Sequence, residues 1–189
     1  MNTKLSVLAP VVIFALFSSP LSLFGEIHSG QFWLDTRIGW EFAEGPGSPG
    51  TQGNIEFLDE SKRFVLNYDF EKGGEYVSAS RTLEDIEASE SLTGVEMLVW
   101  GPGGPVYLAL VDSTDQVFTY LLGDVKDDNQ HALRNNLEDP ESVSGGAGDK
   151  KMHFPLKGIR LIIKKAEPMT KGKVTFERIA LTSPQYQLP

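Results

Sequence analysis

The residues best placed to do chemistry gather in one stretch, Val143 to Lys164, which reads VSGGAGDKKMHFPLKGIRLIIK. Gly145, Gly146 and Gly148 form a turn that carries one acid, Asp149, and His153 follows four residues later, ahead of Phe154 and Pro155. The stretch then enters a strand with an apolar face of Ile159, Leu161 and Ile163. A loop that feeds a strand, with polar groups held at the junction, is how a rigid sheet presents a binding edge. Catalytic signatures are missing elsewhere. There is no GxSxG elbow, HExxH pair, phosphate loop or zinc-type cysteine spacing. GPGGP at 101–105 precedes a strand rather than a helix, so it cannot serve as a dinucleotide loop. His28, His131 and His153 lie far apart in the chain. Acids are numerous, but cleaving a glycosidic bond takes two carboxylates at a set separation, and the sequence singles out no pair.

The elements that must position these residues begin after a leader. Met1 to Lys4 is short and basic, Leu5 to Phe17 is apolar apart from Ser6, and Ser18-Ser19-Pro20 breaks the run before Gly25. That is the plan of a secretory signal peptide over residues 1–25, with one domain over 26–189. The expected location is outside the cytoplasm, secreted or in a periplasm or cell envelope. The apolar run is too short for a comfortable membrane span, which needs about 20 residues, so no membrane attachment is expected once the leader is removed. With Lys4 gone, 17 basic residues become 16 against 26 acids. Such a surface repels nucleic acid and anionic membranes. Cysteine is absent, so stability must come without disulfides.

From Gln31 onward the apolar pattern has period two. Strands are predicted at Gln31–Leu34, Ile38–Phe42, Arg63–Phe70, Glu75–Ser80, Val95–Trp100, Val106–Asp112, Gln116–Leu122, His131–Leu137, Gly158–Lys164 and Lys173–Leu181. Phe64, Leu66, Tyr68 and Phe70 share one face, and Glu71-Lys72-Gly73-Gly74 predicts a turn that brings Glu75–Ser80 back as an antiparallel partner. Thr82 to Leu92 is the one helical candidate, a turn or two behind a capping-box pattern of Thr82 and Asp85. Asp112-Ser113-Thr114-Asp115 predicts a hairpin between two arms that are apolar on both faces. Gly158–Lys164 and Lys173–Leu181 are predicted to close the sheet as a pair, and the slip in apolar phase between Phe176 and Ile179 predicts a bulge at Glu177-Arg178. The pattern specifies an all-β, antiparallel two-sheet sandwich of about ten strands.

Four blocks carry a resemblance: LNYDFEKGGEYVSASR at 66–81, VYLALVDSTDQVFTYLL at 106–122, SGGAGDKKMHFPLKGIRLII at 144–163 and GKVTFERIAL at 172–181. In order and spacing they resemble the galactose-binding-domain-like β-sandwich modules found attached to, or beside, bacterial polysaccharide-degrading enzymes. Ser144 stands where such modules carry a tryptophan before Gly145-Gly146-Ala147, and Lys150 stands where a glycine follows Asp149. The resemblance implies a jelly-roll sandwich, no catalysis, binding of a poly- or oligosaccharide, and often a structural calcium.

It also implies roles for particular residues. Asp149 and His153 take the place of loop residues that face a ligand. Trp100 is a candidate for stacking on a sugar ring. Tyr76, Arg81, Gln116 and Tyr120 lie on strands that would line a concave face, and Arg134 lies on the long stretch between Gly123 and Gly148. For calcium, which takes six to eight oxygens, the candidates are Glu44 and Glu177, with Asp69 and Asp112 as alternatives. Two other readings keep the same sandwich. One is an assembly or scaffolding protein that binds a protein partner, and the other is a glycan-active enzyme.

Overall fold

The computed structural model describes residues 31–34, 36, 38–45, 49–58, 62–83 and 92–183. Residues 1–25, expected to be a signal peptide, lie outside them, as do residues 84–91 of the helical candidate Thr82–Leu92, whose first residue ends a strand instead. Among the described residues there is no helix, and twelve strands make two six-stranded antiparallel sheets.

Sheet A joins β3 (Gln52–Leu58), β4 (Arg63–Asp69), β12 (Lys171–Thr182), β6 (Gly94–Trp100) and β9 (His131–Asn136) in that order, with β1 (Gln31–Trp33) also on β12. Sheet B runs β10 (Ser142–Gly145), β8 (Gln116–Val125), β7 (Gly104–Val111), β11 (Gly158–Lys164), β5 (Tyr76–Thr82) and β2 (Trp40–Glu44). The two sheets face each other as a jelly-roll sandwich. The period-two pattern explains the core. Phe64, Leu66 and Tyr68 of β4, Val95, Met97 and Val99 of β6, and Leu108, Leu110, Ile159, Leu161 and Ile163 of sheet B all point inward and are buried. Trp40 of sheet B meets Phe64 of sheet A with ring centroids 5.0 Å apart, and Phe64 stacks on Phe176 at 5.3 Å.

Two expected pairings are corrected. β4 and β5 do not form a hairpin: β4 pairs with β3 and β12, β5 with β11 and β2. Likewise β11 and β12 belong to opposite sheets. Alternation fixes which residues face inward but does not distinguish a hairpin from a crossover between sheets, because both leave the same face in the core. Here the segment through Phe70, itself buried, carries the chain from one sheet to the other. Two strands are additional to the expected ten. β3 is an edge strand, exposed over most of its length, without an apolar stripe, and β10 is four residues long inside the glycine-rich stretch. The Asp112–Asp115 hairpin and the bulge are as expected. β12 shifts register against β6 between Glu177 and Ala180, where Arg178 takes φ +52°.

Candidate functional site

The hairpin turn after β7 and the glycine-rich loop after β10 are tied together by two buried side chains. Asp112 is fully buried. Its Oδ1 accepts from the Thr114 amide and hydroxyl and from the Gln116 amide, at 2.8–2.9 Å, and its Oδ2 accepts from the His153 amide at 3.0 Å. Burial pushes its carboxyl pKa up, but these donors outweigh burial and hold it below the ordinary value. Gln116, also fully buried, donates from Nε2 to the Lys151 carbonyl at 2.9 Å and to Asp149 Oδ1 at 3.4 Å, and its Oε1 accepts from the Lys150 amide. Asp149 Oδ1 accepts from the Lys151 amide, and Oδ2 lies 3.0 Å from His153 Nε2. The Lys151 amide bond is the leading cause of the lowered Asp149 pKa. Partial desolvation opposes it, and the His153 and Gln116 bonds reinforce it.

Gly146 makes this docking feasible. It has φ +53°, and a Cβ there would lie 2.3 Å from the Gln116 amide nitrogen. Gly146→Ala is therefore expected to lift the loop off the hairpin, speeding hydrogen exchange at the Ala147 and Lys150 amides, which donate to Thr114 and Gln116, while the β-sheet amides stay protected. Unchanged exchange at those two amides would contradict this.

Of the expected site residues, the structure brings Asp149, His153 and Gln116 together, with Gln116 beneath the loop rather than at its surface. Tyr120 faces the core, where its hydroxyl donates to the Leu137 carbonyl and burial pushes its pKa to about 12. Gln116 and Tyr120 share the inward parity of Phe118, which puts them on the opposite face from the one expected. Arg81 also has the inward parity, near the end of β5, paired in register with Trp40 and Ile159. Trp100 and Arg134 are on the outer face of sheet A, Trp100 under the Arg63 guanidinium at 5.5 Å and Arg134 bonded to Glu96 at 2.8 Å. Tyr76 faces outward on sheet B, its ring lying over Gly45, where a Cβ would come within 2.6 Å of it.

The four calcium candidates do not converge. Glu44 ends an edge strand of sheet B, while Glu177 stands on the outer face of sheet A. Asp69 is bonded to Lys171 and the Glu71 amide, and the oxygens of Asp112 are engaged as above. Among the described residues, no three acids or histidines lie close enough to share a metal ion.

The outer face of sheet B carries a second set of candidate residues that the sequence pattern does not assemble. Registers set Glu41, Ser80, Arg160, Ala109 and Thr119 side by side across five strands. The next row holds Ala43, Ser78, Ile162, Tyr107 and Leu121. Small side chains keep the middle of this face low: Ala109 is 1% exposed and Ser78 2%. Arg160 projects exposed from this floor and forms no ion pair among the described residues, while the Lys164 ammonium caps the Tyr107 ring at 3.8 Å. The Asp149–His153 loop stands at one end of the trough, beyond Val111, Val117 and Gly158. A concavity of about 440 Å³ lies on sheet A over Asn54, Asn67 and Lys173, remote from the loop, and its Asp69 and Lys171 already satisfy each other. The trough has a partial signal in the sequence, since its residues hold the outward parity of strands whose inward parity is plain.

No family model matches the sequence, and no curated protein matches it. Among solved structures, the chain is similar to the family 11 carbohydrate-binding module of a cellulosomal cellulase of Clostridium thermocellum, with TM-score 0.61 and 14% identity over 82% of this chain and 96% of that one. The family 11 module from the same organism in complex with a β-1,3-1,4-mixed-linked tetrasaccharide gives 0.60 and 14%, over 82% and 97%. An agarase gives 0.51 and 11%, over 82% of this chain but 24% of its own. At these identities the likeness is one of fold. This chain has the two-sheet antiparallel sandwich of carbohydrate-binding modules.

Proposed function

We propose that the protein is a non-catalytic carbohydrate-binding protein that holds a poly- or oligosaccharide along the outer face of sheet B. The observation that carries this reading is Arg160, an exposed guanidinium without an ion-pair partner among the described residues. It stands at the centre of a trough lined by Ser80, Thr119 and Glu41 and bordered by Tyr76. A planar five-donor group selects hydroxyl patterns, serine and threonine hydroxyls donate and accept as needed, and aromatic faces pack on the apolar sides of sugar rings. The tetrasaccharide carried by the family 11 module of the same fold supports this ligand class. Glu41 is the one carboxylate among the described residues in the trough's two central rows. Hydrolysis of a glycosidic bond would need two, which supports a binding role over an enzymatic one. The basic and apolar pattern of residues 1–25 supports export.

Affinity electrophoresis against a panel of plant and algal polysaccharides, with a parallel assay for new reducing ends, tests the reading. Retardation without release of reducing ends is expected. Tyr76→Ala should weaken binding by up to about tenfold, the value of one aromatic contact, with an unchanged melting temperature. Release of reducing ends would make it an enzyme. No retardation by any glycan, with a co-purifying protein, would replace the reading with a scaffolding role.

A further inference from the structure

Residues 150–165, KKMHFPLKGIRLIIKK, contain six lysines and arginines and no carboxylate, within a chain of 17 basic and 26 acidic residues. The strand at the centre of the trough, β11, comes from this segment, and its outward parity presents Arg160 and Lys164. Lys157 is paired with Asp115, and Lys165 lies 3.8 Å from Glu167. Among the described residues Arg160 has no such partner, and Lys164 has only the Tyr107 ring. A guanidinium without an ion-pair partner among the described residues stands out on a chain whose net charge is −9, and the neighbouring outward positions on β5 and β7 are Ser80 and Ala109. Glu41, in the same row, is separated from Arg160 by the whole of β5, about 10 Å away in strand spacing.

We propose that the ligand is an acidic polysaccharide, with carboxylate or sulfate groups that meet Arg160 and Lys164. This rests on the reading of sheet B's outer face as the glycan site, and it names the substrate class. Guanidinium pairs with carboxylate and sulfate through parallel N–H···O bonds, whereas the lysine ammonium acts as a point charge. The two residues stand four positions apart on one strand, about 13 Å along the trough. They therefore engage anionic groups on different sugar residues, and the trough recognises a chain rather than a single acidic sugar. The acidic remainder of the surface repels polyanions, the ligand included, and so confines its contact to this strip.

The test uses the whole protein and four probes: polygalacturonate, a sulfated galactan, neutral agarose and duplex DNA, each by affinity electrophoresis and calorimetry. Polygalacturonate or the sulfated galactan should bind at least about tenfold more tightly than agarose, and the stronger of the two identifies the anionic group. Arg160→Gln should lower that affinity about tenfold, as expected for one charged hydrogen-bonding contact. It should leave the melting temperature unchanged, and raising salt from about 0.05 to 0.3 M should weaken the wild type more than the variant. Binding to agarose at equal or greater strength, reduced by the same variant, would overturn the acidic class and leave the glycan site intact. Retention of DNA as strong as that of the acidic glycans would mean an unspecific cationic strip and overturn the proposal. Failure of all glycan probes would remove the glycan reading itself.

Discussion

Asp112→Ala is expected to lower stability by roughly 3–5 kcal/mol, because each buried donor left without a partner costs about 1–3 kcal/mol. The carboxylate satisfies three backbone amides, those of Thr114, Gln116 and His153, from a fully buried position. In a domain of this size the melting temperature should fall by about 10 °C. The residue lies outside the trough, so its removal should affect binding only through the loop it holds, with faster exchange at the His153 amide. Asp112→Asn keeps one acceptor oxygen and should cost less than alanine. The carboxyl has a lowered pKa in the folded state, so its contribution is complete above the unfolded value of about 3.9 and is lost as pH falls through the folded one. Wild-type stability should therefore drop more steeply below about pH 4 than that of Asp112→Asn. Urea titrations at several pH values measure this, and parallel acid limbs would sink the account.

Phe64→Ala should cost about 3–5 kcal/mol, the range for deleting a buried phenylalanine. Phe64 has no exposed surface and stands between Trp40 of sheet B and Phe176 of its own sheet. Its loss opens a cavity where the two layers meet, and rigid strands on both sides prevent collapse into it. Phe57, 6.4 Å from the same ring but at the edge and 37% exposed, is the control. Phe57→Ala should cost about 1 kcal/mol, since its ring buries less surface and leaves no enclosed cavity behind. Equal losses for the two variants by urea unfolding would mean that the aromatic cluster does not couple the sheets as described.

How much of this architecture is legible in the sequence follows from how local each constraint is. Inward parity at Phe64, Leu66, Met97 and Leu108, and at Ile159, Leu161 and Ile163 on β11, needs no knowledge of partners, because burial of one face fixes every second residue. The Asp112–Asp115 hairpin and the bulge at Arg178 are likewise visible, since turn residues and a phase slip are local signals. β3 leaves no such mark, because a polar edge strand buries too little to produce a stripe. The β4–β5 and β11–β12 pairings are misread from sequence because a short link can close a hairpin or cross between layers. Gln116 and Tyr120 fall on β8 as expected, but their role depends on which parity faces in.

Local pattern alone was enough to specify a strand-rich, disulfide-free chain, the two-layer sandwich, and the glycine-rich loop from Val143 that carries Asp149 and His153. The assignment of strands to sheets came only with the folded molecule. So did the locking of that loop to the hairpin through Asp112 and Gln116, and the placing of Arg160 beside Ser80 and Ala109 on a single face. The reason is physical: periodicity records whether a side chain is buried, a property of one residue and its strand. A binding face is assembled from residues as distant in the chain as Glu41 and Arg160, and it exists only once the registers of five strands are set.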